Sequence, residues 1–120
     1  MKQHEFIDAI QQAVLTASAN DTVTILEKPP GKRPQPELLA LSNWFQQLSA
    51  EDKQMVHNVA MMASRNAVFG FLAVLDGARQ VEASEAKGRF ELWFDKQGQR
   101  TLLNGPDATP LHEMLDSSIQ

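Results

Sequence analysis

The chain has no cysteine, which excludes disulfides, thiolate zinc sites and a cysteine nucleophile, so noncovalent packing alone must hold its 120 residues together. It also lacks an excess of positive charge: 11 Lys and Arg stand against 15 Asp and Glu, for a formal charge of -4. A nucleic-acid binder needs a basic face to displace counterions from phosphates, so this balance argues against nucleic acid as a partner. Long apolar runs are missing too. The run at residues 67–75 is nine residues long, against the roughly 20 that a bilayer span requires. Glu5 and Asp8 stand where a secretory signal would carry an apolar stretch. The expectation is therefore a cytoplasmic protein with no membrane partner. No internal repeat and no low-complexity segment is visible.

What the chain does contain is an ordinary globular composition, 42% hydrophobic and 22% charged, of a length that suits one domain over residues 1–120. Residues 49–77 carry the clearest structural statement. Ser49 with Asp52 three residues later fits a capping box, and Glu51 and Asp52 place negative charge beside unpaired first-turn N–H groups. Asp76-Gly77 supplies the stop, because glycine accepts the left-handed conformation that commonly ends a helix. About 26 residues between these signals would run roughly 40 Å. Residues 67–75 are apolar on every side, which predicts a long central helix that is covered all round. Gly70 in that run costs about 1 kcal/mol relative to alanine in a helix, so a close packing contact is expected there.

The remaining elements follow from periodicity. Phe6, Ile7, Ile10, Ala13, Val14 and Ala17 form an amphipathic stripe, a helix over residues 3–18 that Asn20-Asp21 should end. Residues 22–26 are β-branched and read as a short strand. Four prolines within residues 28–36 forbid helix and make a stiff internal loop. Pro36 and Glu37 open a helix carrying Leu38, Leu39, Leu41, Trp44, Phe45 and Leu48. Alternation then takes over. Phe90, Leu92 and Phe94 share one strand face, Glu91, Trp93 and Asp95 the other, and residues 96–99 turn into a second strand at residues 100–104. Residues 78–82 are a candidate third strand, and Thr109-Pro110 starts a short closing helix. The predicted fold is α+β: three N-terminal helices including the long buried one, a small antiparallel hairpin or three-stranded meander, and a C-terminal helix.

Chemistry-bearing patterns are sparse. His4 with Asp8 and His112 with Asp116 have the four-residue spacing of two metal ligands, but no third ligand accompanies them, so no metal or cofactor is implied. His57 lies on a polar stripe with Gln54, Asn58, Met61 and Arg65 and is the one candidate general base, without a serine, cysteine or paired acid at recognisable spacing. The Pro30-Gly31-Lys32 segment fails as a phosphate loop, because Leu26 stands where the first glycine belongs and Arg33 follows the lysine. What remains there is a cluster of Lys28, Lys32 and Arg33 in an acidic protein, a candidate edge for an acidic protein partner. Trp93, on the strand face opposite Phe90, Leu92 and Phe94, is expected to point outward and to serve an interface, a homodimer among the options. Of the adjacent Met61 and Met62, the packing reading puts Met62 in the core.

The run Phe69-Gly70-Phe71-Leu72-Ala73-Val74-Leu75-Asp76-Gly77, followed by Gly88-Arg89-Phe90-Glu91-Leu92, Leu103-Asn104 and Leu111-His112, loosely resembles small single-domain bacterial proteins, some of which act as immunity partners. The resemblance carries no catalytic motif and implies binding to another protein. The expectation is a non-enzymatic cytoplasmic protein-binding module, an immunity or accessory factor. The alternative is a small hydrolase using His57 with an acid such as Asp76 or Asp95.

Overall fold

Ser49 accepts the Asp52 N–H at 3.1 Å through its hydroxyl, and helix α4 (Ala50–Leu75) starts from that cap. The helix ends in a Schellman motif. Gly77 takes φ +79°, its N–H bonds the Val74 carbonyl, and the Ala78 N–H bonds the Ala73 carbonyl at 2.9 Å, so two carbonyls of the last turn find partners. Both ends of α4 thus lie where local chemistry places them. Its burial differs from expectation. Only Gly70, Leu72 and Ala73 are fully buried along its 26 residues, and Phe71 is 64% exposed. The apolar stretch is covered on one side, not all round.

The computed structural model describes residues 1–118, with side chains as far as Leu115. The element order is α1 (Gln3–Ile10), a π-helical turn (Gln11–Thr16), α2 (Ala17–Glu27), α3 (Pro36–Gln46), α4, β1 (Trp93–Lys96), β2 (Gln99–Leu102) and α5 (Leu111–Ser118). This is the expected α+β class. Two predicted details change. The first helix does not end at Asn20, and residues 22–26 are helix instead of strand. The Thr22 and Thr24 hydroxyls donate to the Ser18 and Asn20 carbonyls one turn back, at 2.8 and 3.0 Å, so helix conformation satisfies side chains whose β-branching favours strand. Residues 78–82 form no strand, and among the described residues the sheet is a two-stranded hairpin.

The chain folds as two compact units, one of Met1–Gln12 with the chain from Asn66 onward, the other of Ala13–Arg65. In the second unit α2 packs on α3, with Leu15, Ala19, Leu26 and Phe45 as its buried apolar residues. The open C-terminal end of α2 is closed by side chains of α3. The buried Ser42 hydroxyl donates to the Leu26 carbonyl at 2.6 Å, and the Gln46 amide donates to the Glu27 carbonyl at 3.0 Å. Ser64 on α4 donates to the Leu15 carbonyl at 2.7 Å, serving the π-helical turn, where the usual helical pairing is shifted. Because a buried carbonyl left without a donor costs about 1–3 kcal/mol, Ser42→Ala is expected to lower stability by about 1–2 kcal/mol. Thermal melting followed by circular dichroism checks this, and an unchanged midpoint would contradict it.

In the other unit α1 packs on α5, and Ile7, Leu72, Leu103, Leu111 and Leu115 are buried. Gln3 ties α1 to the loop before α5 by donating to the Leu103 and Thr109 carbonyls at 2.7 and 2.8 Å. Glu5 accepts the Lys2 N–H at 2.9 Å. That bond, chiefly, and the nearby N-terminal amine, His4 and Lys2 hold its carboxyl below the ordinary value. A lowered folded-state pKa stabilises above the ordinary carboxylate range, so this contribution fades as pH falls through that range. The hairpin registers Trp93 against Leu102 and Lys96 against Gln99. Gln97 and Gly98 both adopt positive φ, +53° and +79°, the two-residue turn whose twist matches paired strands.

Two polar anchors bind this unit's segments together. Asn104, 9% exposed, accepts the Leu92 N–H at 2.8 Å and donates to the Leu75 and Phe90 carbonyls at 2.9 and 3.0 Å. Asp76, the residue after α4, accepts both the backbone N–H of His112 at 2.9 Å and a bond from its Nδ1 at 2.7 Å. One carboxylate therefore satisfies a first-turn N–H of α5 and fixes the imidazole, which meets the Phe69 ring edge-on at 5.3 Å. Gly70 is buried, and what covers it is the mobile end of one side chain instead of a packed backbone. A Cβ there would meet the guanidinium of Arg79, with its Cζ at 3.2 Å.

Candidate interaction surface

Helix α3 carries more apolar side chains than one buried face can hold. Phe45 turns inward and is fully buried, with the Lys53 ammonium 5.3 Å from its ring centroid. Leu41 and Trp44, three residues apart, turn outward and are 54% and 51% exposed. Helix α4 contributes a second outward row at three- and four-residue spacing: Met55, Val59 and Met62, 59%, 64% and 64% exposed. Side chains three and four apart share a helix face, so each row is a continuous stripe. Trp44, Leu48, Asp52, Met55, Val56 and Val59 line a groove of about 410 Å³. Monomeric soluble proteins rarely expose contiguous apolar patches larger than a few hundred Å². This unit buries Leu15, Ala19, Leu26 and Phe45 and leaves Leu41, Trp44, Met55, Val59 and Met62 more than half exposed.

Met62 thus lies on the surface, against the expectation that placed it in the core, and Met61 is the half-buried member of the pair. The methionine row was the available signal. Asp52, Met55, Val59 and Met62 repeat at intervals of three, four and three, a seam spacing that points to a packed partner helix. The apolar stretch also reaches further upstream than the nine-residue run suggests. By length and composition alone α4 is long enough to cross a bilayer, with a mean hydropathy of 1.3 over its most apolar 18-residue window.

The other candidate residues occupy separate places. Lys28, Lys32 and Arg33 are exposed in the loop between α2 and α3, where Gly31 takes φ +86°. Trp93 begins β1, not the middle of a longer strand, since residues 90–92 are not paired as sheet. It is 41% exposed, and the Arg100 guanidinium covers its ring at 4.5 Å from the centroid. Part of its face is therefore already occupied within the hairpin. His4 and Asp8 are exposed on α1. The side chain of Asp116, the suggested companion of His112, lies outside the described residues.

His57 is not arranged as a general base. Its Nε2 lies 2.9 Å from the Asn20 side-chain oxygen, and its Nδ1 is buried without a partner. The unpartnered nitrogen is buried away from a bound substrate, and the other is occupied by Asn20. The acids proposed to assist it are engaged elsewhere. Asp76 holds His112, and Asp95 lies 3.9 Å from the Arg100 guanidinium. The Asp76–His112 pair was not expected from the sequence, because the two residues lie 36 positions apart and each has its own local reading, one as a helix stop and the other as a helix-surface residue.

Comparison with models of known protein families, with curated proteins and with solved structures finds no match.

Proposed function

We propose that this protein is a non-enzymatic, cytoplasmic protein-binding module whose working surface is the apolar face of α3 and α4. The observation that carries the reading is the grouping of Trp44, Met55 and Val59, each more than half exposed, around one groove, with Leu41 and Met62 exposed further along the same two helices. Aromatic and methionine side chains are enriched at the centres of protein interfaces, where covering them returns the hydrophobic free energy that exposure forfeits. Lys28, Lys32 and Arg33 form a cationic flank on the same unit, suited to steering an acidic partner. An immunity or accessory role fits such a surface. The engaged state of His57, Asp76 and Asp95 disfavours the hydrolase alternative.

The test is affinity capture with the folded wild type and with Trp44→Ser. A protein partner retained by the wild type and lost by this variant supports the reading. A partner indifferent to the substitution, or turnover of ester, phosphate or peptide substrates abolished by His57→Ala, refutes it.

A further inference from the structure

We propose that Asn104-Gly105 is a self-acting covalent modification site, which the fold keeps closed and which opens only with the segment it anchors. An asparagine followed by glycine is the pair in which a chain most readily attacks its own side chain, because glycine has no Cβ to hinder the approach. Of the five asparagines in the chain, Asn20, Asn43, Asn58 and Asn66 precede aspartate, tryptophan, valine and alanine. Asn104 is the one that precedes glycine.

The chemistry needs only water. The Gly105 backbone nitrogen gives its proton to solvent and bonds Asn104 Cγ, the Cγ–Nδ2 bond breaks, and ammonia leaves with a proton taken back from solvent. Water then opens the resulting succinimide ring at either carbonyl. One opening leaves an aspartate at position 104, and the other leaves a main chain that runs through the former side chain. Nothing is oxidised or reduced.

The folded structure opposes each part of that step. Nδ2 uses both of its hydrogens on the carbonyls of Leu75 and Phe90, at 2.9 and 3.0 Å, and Oδ1 accepts the Leu92 N–H at 2.8 Å. Turning Cγ toward its own following nitrogen therefore means giving up all three bonds. The leaving nitrogen faces two carbonyl acceptors, neither of which can supply the proton with which ammonia departs. Asn104 is also 9% exposed, which limits the water that must open the ring. Packing accounts for the reactive neighbour. A Cβ at position 105 would meet Leu102 Cδ2 at 3.3 Å, inside the optimal separation of carbon atoms, so the turn after β2 favours glycine. The other anchor also precedes glycine, but Asp76 offers a carboxylate, a poorer electrophile than an amide, and the Gly77 N–H is engaged by the Val74 carbonyl at 3.1 Å.

This protection ends when the anchored segment lifts. Residues 78–91 are exposed throughout, and residues 90–92 are tied by Asn104 and by the Leu103 N–H on the Leu92 carbonyl at 2.8 Å. A segment with so little buried surface opens at less cost than the whole chain. Each opening frees the amide to react, and the reaction does not reverse. A carboxylate at position 104 would face the Leu75 and Phe90 carbonyls without a hydrogen to donate, and the rerouted main chain would carry the side chain out of place, so the anchor cannot re-form. A transient opening is thereby converted into a permanent loss.

Peptide mapping by mass spectrometry tests this on the full chain, held at mildly alkaline pH either folded or unfolded in guanidinium chloride. In the unfolded chain Asn104 is expected to convert ahead of the other asparagines, to a pair of products, aspartate and isoaspartate. In the folded chain the same conversion should be slower by about tenfold or more, the factor that even a modest opening free energy gives. Gly105→Ala, followed only in guanidinium so that its folding does not matter, should slow the reaction there. Wild type that has reacted and is then refolded should melt at a lower temperature than unreacted chain carried through the same cycle. Equal rates in the folded and unfolded chain, an Asn104 that does not convert first when unfolded, a Gly105→Ala rate like that of the wild type, or reacted chains that melt with the unreacted ones would each overturn the proposal.

Discussion

Asn104→Ala is expected to be the most damaging single substitution in the described structure, lowering stability by about 3 kcal/mol or more. The side chain closes three backbone groups at once: the Leu92 N–H and the carbonyls of Leu75 and Phe90. Alanine would leave all three without their partner in a site where Asn104 itself is 9% exposed. An unsatisfied buried group costs about 1–3 kcal/mol, and partial rehydration of the Phe90 and Leu92 segment reduces the sum of three. For a small domain, each kcal/mol corresponds to several degrees of melting temperature, so a drop of about 10 °C or more is expected. Asn104→Asp separates shape from chemistry. It keeps an acceptor for Leu92 but turns a carboxylate toward two carbonyls, and it should be no better than alanine. Calorimetry gives the magnitude, and hydrogen exchange at the Leu92 amide gives the location. A melting temperature within a degree or two of the wild type would show that the three groups find other partners.

Asp76→Ala is expected to cost about 2–3 kcal/mol, because hydrogen bonds to a charged group contribute more than neutral ones. The carboxylate is 5% exposed and His112 is 16% exposed, so water competes poorly for either group. The two bonds it accepts can be told apart. His112→Phe keeps a ring against Phe69 and keeps the backbone N–H of position 112, but removes the Nδ1 bond, and should cost less than Asp76→Ala. In the Asp76→Ala background the same His112 substitution should have a much smaller effect, since the partner of its Nδ1 is already gone. Chemical denaturation of the two single variants and the double variant measures that coupling. Additive losses would mean that the 2.7 Å contact contributes little and that Asp76 acts mainly on the first turn of α5.

These two anchors also mark where reading the chain residue by residue stops being informative. The limits of α4 were legible because each is a local event: a serine hydroxyl three residues from the N–H it accepts, and a glycine at positive φ within two residues of the last turn. The hairpin was legible for the same reason, since alternation and a Gln97-Gly98 turn are properties of neighbouring residues. The error at residues 22–26 shows the limit of propensity. β-branched residues favour strand on average, yet a threonine whose hydroxyl reaches the carbonyl four residues back is at home in a helix that has already begun. The anchors Asn104 and Asp76 gave no such local signal, because their partners are 12 to 36 positions away.

By itself, then, the sequence determined the α+β class, the caps of α4, the proline-stiffened loop and the position of the hairpin. Each follows from backbone preference or from spacing within one or two helical turns. Only tertiary structure decided which side of each apolar segment is covered. Residues 67–75 are apolar on all sides and so carry no preferred orientation of their own, and α3 has apolar residues on more than one face. Which of them turn inward depends on what packs against them. Phe45 inside with Trp44 outside, and Met61 half-covered with Met62 in the open, are outcomes of that packing. The candidate interaction surface is what the packing leaves uncovered.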